Sequence, residues 1–306
     1  MKKTTIAIAG ASGFVASGLI RKLTSLDHQV LGISRNIKNV SERFKKFNNV
    51  RFLQVDIVKE GLNDINFEPE IVINLAAVQP SNNAIGWKTY YQGNVELVGC
   101  LLDFCNLNEV KKLIHTSTTS IYSNSSSESY NENSVPHPTN LYSLSKYMGE
   151  NLLRVSCESS ANSPEVIVLR FPSVFGSEHL DGLVYTYYSL AKENKEIEIY
   201  NEGKTMRNLL YIDDAVNSVL LFVNENEAAI KFDQFLVGST NSLSSIDIAS
   251  YIKQSIGSNS ALVPVNKSSQ INEDIYIDTN KLQGMHDFKL KTIEEGLNEF
   301  LRSLEK

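Results

Sequence analysis

One run of residues sets the architecture of this chain: Thr4-Thr5-Ile6-Ala7-Ile8-Ala9-Gly10-Ala11-Ser12-Gly13-Phe14-Val15-Ala16. Its first part, 4–9, is short, apolar and rich in isoleucine, which is typical of a buried parallel strand. A glycine turn follows at once, and Leu19, Ile20 and Leu23 then recur at helical spacing. A strand, a glycine turn and a helix in this order predict the first βα unit of a parallel sheet.

The same turn predicts a dinucleotide-binding site. Gly10 permits a tight turn, and Gly13 lets the backbone approach a pyrophosphate at the N-terminus of the helix. Ala16 stands where a small residue lets the helix pack closely on the strand. A generic glycine turn is the alternative interpretation, and the strand and helix on either side favour the binding site.

Further apolar runs predict a doubly wound α/β domain, a Rossmann fold with a parallel sheet. We expect this dinucleotide-binding domain over 1–172, with 205–238 returning to it. A smaller C-terminal substrate-binding lobe is expected over 173–204 and 239–306. Further strands are predicted at 29–33, 50–55, 71–75, 112–116, 166–171 and 235–237. The main helices are predicted at 87–107, 142–158, 244–256 and 293–304, with a loop at 123–140 and a polar connector at 258–272.

Composition narrows the function classes. The chain has 306 residues, a net charge of -6 and three cysteines without a C-x-x-C pair. The negative charge argues against general binding of nucleic acid or anionic membranes. No apolar run approaches the ~18 residues of a spanning helix. We therefore expect a cytoplasmic protein with reduced cysteines, without a membrane segment and without a metal site.

The end of the second strand bears on cofactor choice. Ser34-Arg35 stands where NAD-preferring sites carry an acidic residue for the ribose 2′-hydroxyl. A guanidinium suits a 2′-phosphate instead, so we predict a preference for NADP(H), with NAD(H) possible. The alternative is that Arg35 is a solvated loop arginine. Asp56, after the third strand, can accept from the adenine amino group or simply form a turn.

A tyrosine and a lysine, Tyr142 and Lys146, are spaced for one face of a helix. A tyrosine needs its pKa lowered by about three units, or roughly 4 kcal/mol, to act as a base near neutral pH. One cation ~4 Å away at an effective dielectric of ~20 supplies about that much. The pair therefore fits proton transfer coupled to hydride transfer, although the same spacing often occurs on solvated helices.

With these motifs in place, the chain resembles the extended short-chain dehydrogenase/reductases, in the group of nucleotide-sugar epimerases, dehydratases and reductases. The matching motifs run in family order over most of the chain. They are Gly10-x-x-Gly13-x-x-Ala16, Asn74-Leu75-Ala76-Ala77, Ser117-Thr118-Thr119-Ser120-Ile121-Tyr122, Tyr142-x-x-x-Lys146 ahead of Glu150, Arg170-Phe171-Pro172-Ser173-Val174-Phe175-Gly176, and Arg207-Asn208-Leu209-Leu210-Tyr211-Ile212-Asp213-Asp214.

The resemblance implies roles for individual residues. Thr118 matches the family's catalytic Ser/Thr, Tyr142 the acid/base, and Lys146 the lysine that binds the nicotinamide ribose. Asn94 matches a helix asparagine near the active site, and Arg207 an arginine that contacts substrate phosphates. The predicted cofactor-binding residues are Gly10, Ser12, Gly13, Phe14, Val15, Ser34, Arg35, Asp56, Ile57, Leu75, Ala76, Ala77, Lys146 and Phe171. The predicted substrate-binding residues are Thr119, Ser173 and Arg207.

Departures from the family pattern bear on the reaction and on the substrate. The 4,6-dehydratases carry an Asp-Glu pair after the catalytic threonine, and Thr119 and Ser120 stand there in this chain. Neither hydroxyl ionises near neutral pH, so dehydration is not expected. Ser173 stands where the family often has an asparagine facing the substrate, which leaves the sugar and the nucleotide open.

The resemblance therefore implies an NADP(H)-dependent ketoreductase acting on a nucleotide-activated deoxysugar, most simply at C4. The alternative is a 4-epimerase with retained NAD, which uses the same residues. A non-catalytic NAD(P)-binding regulator is a third possibility, although such proteins usually lose the tyrosine or the lysine. Helices 87–107 and 142–158 resemble the pair that forms a dimer interface in the family, so we expect a homodimer.

Overall fold

The computed structural model describes residues 3–62, 65–81, 85–122, 129–160, 162–225, 231–266, 274–285 and 288–305. Residues 123–128, at the start of the predicted loop 123–140, lie outside the described residues. Contacts divide the chain into two compact units. The first unit comprises Met1–Ile121, Pro136–Arg170 and Val216–Phe235, and the second comprises Tyr122–Val135, Phe171–Ala215 and Leu236–Lys306.

Strands and helices alternate through most of the chain. The strands are β1 (Thr5–Ala9), β2 (Gln29–Ser34), β3 (Val50–Gln54), β4 (Ile71–Asn74), β5 (Lys112–Thr118), β6 (Glu165–Phe171), β7 (Ser173–Phe175), β8 (Ile197–Tyr200), β9 (Met206–Arg207), β10 (Leu209–Tyr211), β11 (Phe232–Leu236), β12 (Leu243–Ser244) and β13 (Leu262–Val265). The α-helices are α1 (Phe14–Ser25), α2 (Lys38–Phe44), α3 (Ile57–Glu60), α4 (Trp87–Tyr91), α5 (Leu97–Leu107), α6 (Leu141–Ser159), α7 (Gly182–Lys192), α8 (Ile212–Asn224), α9 (Ser245–Ser255), α10 (Asn280–Gln283) and α11 (Ile293–Leu304).

The central sheet has seven strands in the order β11-β6-β5-β4-β1-β2-β3. Strand β1 pairs in parallel with β2 and β4, and the pairs β2–β3 and β4–β5 are parallel as well. The predicted Rossmann fold is therefore confirmed. Because Ala9 pairs with Asn74 and Asn74 with His115, the loops after β1, β4 and β5 open at the same edge of the sheet. That edge, at the carboxyl ends of the strands, is where such folds bind ligands.

The core of the first unit explains the apolar runs in its strands. Helices α5 and α6 pack against the sheet, and their buried side chains form one cluster with those of the strands. Members of this cluster are Leu101, Cys105, Leu153, Cys157 and Val168. All three cysteines of the chain are free thiols, as expected from their spacing.

The predicted helix 87–107 differs from a regular α-helix. A π-helical turn, Gln92–Glu96, separates α4 from α5. Gly93 in this turn lies against Val78, and a Cβ at Gly93 would come within 2.3 Å of Val78 Cγ2. Such π-turns frequently lie at functional sites. The apolar spacing of the sequence does not reveal the turn, because contact with Val78 is tertiary.

The second unit has its own small sheets and core. Strand β7 pairs with β10 in parallel, β9 with β12 antiparallel, and β8 with β13 in parallel. The aromatic rings of Phe175, Tyr211 and Phe300 meet in its core. The expected connector 258–272 is thus wrong over Leu262–Val265. Those residues form β13, whose Pro264 is tolerated because the strand lies at an edge.

No described helix is long and apolar enough to cross a membrane. Within the same residues, no group of three or more His, Cys, Asp or Glu side chains could hold a metal ion.

Candidate active site

The turn after β1 forms the first part of the site. Gly10 has φ of 81°, and a Cβ there would lie 2.6 Å from the backbone nitrogen of Ala76. Only glycine fits this conformation and this approach. The turn is closed by the Gly13 N–H, which donates to the Gly10 carbonyl at 2.9 Å. The structure thus brings two predicted cofactor-binding segments into contact, the Gly10–Gly13 turn and the loop after β4.

Helix α1 begins directly after this turn, with Phe14 and Val15 in its first turn. The first turn of α1 carries no acidic residue. A helix N-terminus presents unsatisfied N–H groups and a positive dipole end, both of which favour an anion. The geometry therefore fits the pyrophosphate of a dinucleotide.

The ends of β2 and β3 carry the other predicted cofactor residues. The Ser34 and Ser12 hydroxyls lie 2.7 Å apart and share a hydrogen bond, and Arg35 is exposed. The Asp56 carboxylate pairs with the exposed Lys59 ammonium at 3.3 Å. Ile57 is buried at the start of α3. The described residues at the end of β2 are Ser34 and Arg35, and neither is acidic.

Asn74 fixes the loop after β4. Its side-chain oxygen accepts from the Ala76 N–H at 3.0 Å, and its amide nitrogen lies 3.0 Å from His115 Nδ1. His115 is fully buried, which lowers its pKa well below the usual range, and the Lys146 ammonium lowers that pKa further. His115 is therefore neutral. Sequence analysis missed this residue because its only signal is its place in a strand.

The phenol of Tyr142 lies in the first turn of α6 and is nine-tenths buried. Asn140 begins α6 with a capping box, in which the Asn140 and Ser143 side chains each bond the other's backbone N–H. The Tyr142 side chain is hydrogen-bonded to the side chains of Thr118 and Gln79. The structure therefore brings together the predicted Thr118 and Tyr142, and adds a glutamine that sequence analysis did not single out.

The electrostatics of Tyr142 differ from those expected. Burial raises the pKa of Tyr142 to about 12, while the hydrogen bonds to Thr118 and Gln79 lower it. The expected direction, a pKa lowered by Lys146, is not found in the ligand-free protein. Burial destabilises the phenolate more than its neighbours stabilise it. A further positive charge in the site would be needed to bring this pKa towards neutrality.

Lys146 lies one helical turn after Tyr142 and is buried. Its ammonium donates to the Thr116 carbonyl at 2.7 Å. Burial lowers the pKa of Lys146 to about 8, against the negative charge of Glu150, which raises it. The Glu150 carboxylate is itself bound by the Arg170 guanidinium at 2.6 Å. The lysine is thus held at the end of β5, where the hydroxyls of the site begin.

Asn94 lies inside the π-helical turn and is 1% exposed. Its side chain accepts from the Val78 N–H at 2.7 Å and donates to the Val78 carbonyl at 3.1 Å. It also donates to Ser145 Oγ on α6 at 2.9 Å. These contacts make Asn94 a positioning residue, because they hold the loop after β4 against the helix that carries Tyr142. The expected catalytic role is not supported by any of these contacts.

Two hydroxyl residues follow Thr118. Thr119 is buried in a short 3-10 turn, Thr119–Ile121. The Ser120 N–H donates to Thr118 Oγ1 at 3.1 Å, and Thr118 Oγ1 donates to Ser120 Oγ at 3.1 Å. The described turn thus presents hydroxyl groups where a dehydratase carries carboxylates.

The remaining predicted residues belong to the second unit. Ser173 is exposed in β7, and Phe171 is buried at the end of β6. Arg207 is half-buried in β9, and its Nε donates to Ser245 Oγ at 3.3 Å. Burial raises the pKa of Tyr187 to about 12, while the nearby Arg207 guanidinium lowers it. This unit thus offers a cationic group beside polar side chains.

Comparisons with known proteins identify the family of this chain. A family model described as the NAD-dependent epimerase/dehydratase family matches residues 6–238. The dTDP-D-glucose 4,6-dehydratase of Dictyostelium discoideum is 29% identical over 270 residues, which cover 81% of this chain. The aligned region spans only 61% of the length of that relative.

Solved structures share the fold at lower identity. One is the UDP-glucuronic acid 4-epimerase from Bacillus cereus, in complex with UDP-glucuronic acid and NAD. It aligns with a TM-score of 0.87 and 22% identity over 98% of this chain and 99% of that protein. Another is WbmG from Bordetella bronchiseptica in complex with NAD, with a TM-score of 0.86 and 20% identity over 99% of this chain and 94% of WbmG.

These relatives bear on the predicted cofactor. The family model is described as NAD-dependent and both solved structures contain NAD, so the predicted preference for NADP(H) is not supported. The family model covers more than half of the chain and includes the strand–turn–helix unit and the Tyr142–Lys146 pair. The chain therefore belongs to the NAD-dependent epimerase/dehydratase family, within the nucleotide-sugar group of the extended short-chain dehydrogenase/reductases.

Proposed function

We propose that the protein is a nucleotide-sugar 4-epimerase that retains NAD. The observation that carries this proposal is the buried Thr118–Tyr142 hydrogen bond, followed by Thr119 and Ser120 instead of carboxylates. One phenol can remove and return a single proton at a sugar hydroxyl. Elimination of water needs further ionisable groups, which these two positions do not supply.

The cofactor would be held by the segments around the β1 turn. Backbone N–H groups of Ser12 and Phe14 would face the pyrophosphate, Gly13 would let the backbone approach it, and the loop Leu75–Ala77 would leave room beside it. Ser34, Asp56 and Ile57 would line the adenosine side. Bound NAD supplies the hydride acceptor at C4 of the sugar and afterwards the hydride donor.

The residues of the chain perform the proton chemistry in this proposal. Tyr142 takes the proton of the 4-hydroxyl as that carbon is oxidised, and returns it after the keto sugar has turned its other face. Thr118 hydrogen-bonds the same oxygen. Lys146, held by the Thr116 carbonyl, binds the nicotinamide ribose and adds positive charge near the phenolate. Because burial raises the pKa of Tyr142, the phenolate would need a second positive charge beside it, which an oxidised nicotinamide would supply.

Three residues are proposed to contact the substrate. Arg207 carries the positive charge suited to the diphosphate of a sugar nucleotide. Thr119 and Ser173 are proposed to contact the sugar. In this proposal 1–172 and 205–238 bind the dinucleotide, and 173–204 with 239–306 bind the sugar nucleotide.

A second candidate function is an NADP(H)-dependent ketoreductase acting at C4 of a nucleotide-activated deoxysugar. The end of β2 favours it. The Ser34 hydroxyl is hydrogen-bonded to the Ser12 hydroxyl there, and Arg35 is exposed. Neither Ser34 nor Arg35 is an acidic residue that would repel a 2′-phosphate. A reductase would consume one reduced cofactor per turnover, whereas an epimerase regenerates its own.

The experiment that separates these functions uses the purified protein without added cofactor. We expect denaturation to release NAD, and the intact protein to interconvert the 4-epimers of a UDP- or dTDP-sugar, followed by chromatography of the sugar. A protein free of nucleotide that oxidises NADPH only with a 4-keto sugar nucleotide would favour the reductase. Bound NAD without turnover of any UDP-sugar, dTDP-sugar or 4-keto sugar nucleotide would contradict both the epimerase and the reductase proposals.

A further inference from the structure

His115 is a buried polar residue that lies outside the family motifs. It stands on β5 directly beside Asn74 of β4 in the register of the sheet, and each residue is 1% exposed. A polar side chain is seldom buried so completely without a partner, because losing its contacts with water costs free energy. The Asn74 side chain is that partner, with its Nδ2 atom 3.0 Å from His115 Nδ1.

The direction of this hydrogen bond follows from a third residue. The Ala76 N–H, which can only donate, bonds the side-chain oxygen of Asn74 at 3.0 Å. The Asn74 amide nitrogen must therefore point to His115, and since that nitrogen is also only a donor, His115 Nδ1 must accept. The neutral ring then carries its proton on Nε2, which has no hydrogen-bond partner among the described residues. The bond to Asn74 is thus the polar contact through which the ring can act.

Ala76 lies between two other anchored positions in the loop after β4. At the start of the loop the Leu75 N–H donates to β1 at 3.0 Å, and further on Asn94 binds the backbone of Val78. Between these points the Asn74 side chain holds the Ala76 N–H. The position of the Ala76 backbone therefore depends on the direction in which the Asn74 side chain points.

The Ala76 backbone lies against the glycine turn after β1. A Cβ at Gly10 would come within 2.6 Å of the Ala76 nitrogen and 2.8 Å of its Cα. At such close approach Ala76 has no room to move towards the turn. A displacement of Ala76 would therefore change the spacing of the two segments that are proposed to hold NAD.

The backbone of Asn74 supports the lysine side of the site. Its carbonyl accepts from Thr116 Oγ1 at 3.0 Å, and the Thr116 carbonyl accepts from the Lys146 ammonium at 2.7 Å. Thr116 directly follows His115 on β5. The same two strand ends thus support both the loop Leu75–Ala77 and the lysine that is proposed to bind the nicotinamide ribose.

We propose that His115 is a positioning residue for the cofactor: by accepting from the Asn74 amide, it fixes the Ala76 backbone in the place that lets the site bind NAD. His115 acts through Asn74 and is assigned no contact with the cofactor or the sugar. The inference rests on the proposed function in one respect, that NAD lies along the β1 turn and the loop Leu75–Ala77.

The first test compares two substitutions of similar shape. His115→Asn places a carboxamide oxygen about where Nδ1 stands, whereas His115→Leu has a similar outline and no acceptor. NAD affinity of the full-length proteins is measured by calorimetric titration, after removal of any bound nucleotide. We expect His115→Leu to weaken NAD binding about tenfold, because one hydrogen bond is worth roughly that factor. His115→Asn should restore the affinity to within about threefold of the wild type.

His28→Leu is the matched control, because His28 is a second buried histidine at the opposite edge of the sheet. It is 1% exposed just before β2, and its Nδ1 accepts from the Thr4 N–H at 3.3 Å. This change should lower the free energy of unfolding, measured by urea denaturation, and leave NAD affinity within about twofold of the wild type. The control therefore separates a loss of stability from a loss of positioning.

A double variant tests the route through Asn74. Asn74→Leu removes the bond to Ala76 and the bond to His115 together. If His115 acts through Asn74, the combined Asn74→Leu and His115→Leu protein should bind NAD as weakly as Asn74→Leu alone. A further tenfold loss in the double variant would show independent effects and would overturn the proposed route.

Nitrogen NMR of the folded wild type identifies the tautomer without a sugar or a cofactor. The chain has five histidines, and the His115 signals are those that disappear in His115→Asn. We expect the shift of an unprotonated nitrogen at Nδ1 and of a protonated nitrogen at Nε2. A proton on Nδ1 would overturn the proposal, because that nitrogen could not then accept from Asn74.

The binding results distinguish this inference from the proposed function. Wild-type NAD affinity in His115→Leu, or equal losses in His115→Leu and His115→Asn, would overturn the inference alone. An equal loss in the His28→Leu control would do the same. A wild-type protein that binds no NAD would contradict the proposed function and the inference together.

Discussion

Asn94 and Val78 exchange two hydrogen bonds, one in each direction, across 16 positions of sequence. The Asn94 side chain thus bonds the backbone of Val78 as a neighbouring strand would, although Val78 lies beyond the end of β4. Its third bond, to Ser145, extends this support to α6. A single buried side chain therefore fixes the loop and the helix from which the site is built.

Asn94→Ala should destabilise the protein strongly. The change leaves the half-buried N–H and carbonyl of Val78 without their partner, and each polar group left unsatisfied away from water costs about 1–3 kcal/mol. We expect a loss of about 3 kcal/mol in the free energy of unfolding, measured by urea denaturation. Asn133→Ala, at an exposed asparagine, should change it by less than about 0.5 kcal/mol. Equal stability of the two variants would contradict the structural role of Asn94.

Local sequence signals predict much of this fold and less of the site. The run 4–16 indicated β1, the turn and α1 because strand period, glycine conformation and helix period are all local properties. The four-residue spacing of Tyr142 and Lys146 indicated a shared helix face for the same reason.

Contacts between distant segments were not predictable in this way. Gln79 meets Tyr142, and Asn74 meets His115, only because strands β4 and β5 are neighbours. The π-helical turn depends on Val78 in the same manner. The size of the effect of burial on the Tyr142 pKa was not predictable, because the sequence gives the charge of Lys146 but not how deeply the phenol is buried.

Tyr142→Phe should lower kcat by several orders of magnitude, since general acid–base catalysis contributes about 10²–10⁴-fold. NAD affinity, measured by calorimetry, should stay within about twofold, because the phenol is proposed to act on the sugar. Tyr147→Phe on the same helix serves as the control and should retain activity. If Tyr142→Phe kept wild-type turnover, Tyr142 could not be the acid/base.

Lys146 should impose a pH dependence on stability. Burial lowers its pKa to about 8 in the folded protein, whereas an unfolded lysine titrates near ~10.4. Between these values the unfolded state binds more protons, so the Lys146 contribution to the free energy of unfolding rises with pH. The destabilisation caused by burying the charged Lys146 ammonium is complete below pH ~8. It decreases by roughly 1.4 kcal/mol per pH unit up to pH ~10.

The measurement compares the wild type with Lys146→Met by urea denaturation across this window. Methionine keeps much of the stem and loses both the charge and the bond to the Thr116 carbonyl, a loss that does not vary with pH. The wild type should gain stability relative to the variant as the pH rises. Subtraction removes the opposing contribution of Cys157, whose pKa burial raises to about 11. A difference that is constant with pH would show that Lys146 keeps an ordinary pKa.

Arg35→Ala tests the remaining question of cofactor choice. The guanidinium is exposed, so its bond to a 2′-phosphate would be partly screened. We expect NADP binding to weaken about tenfold and NAD binding to stay the same, as measured by calorimetric titration. Lys46→Ala, at another exposed cation, should alter neither affinity. Equal losses for both cofactors would show that Arg35 does not contact the 2′-phosphate.

An apolar stripe on α6 is the proposed dimer surface. Leu144 and Met148 are each 37% exposed and Val155 is 51% exposed, and their spacing of four and seven residues places them on one helix face. Trp87 and Tyr91 on α4 are exposed to a similar extent. Apolar side chains grouped in this way are typical of a surface that is covered by a partner.

Met148→Glu should therefore convert a dimer into a monomer, because a carboxylate buried at the centre of an apolar interface has no compensating charge among these side chains. Sedimentation at micromolar concentration would show the halved mass. The matched control is Leu180→Glu, where the leucine is 66% exposed outside the stripe, and it should leave the mass unchanged. A wild-type protein that sediments as a monomer would refute the dimer directly, whereas a dimer that survives Met148→Glu would place the interface on another face.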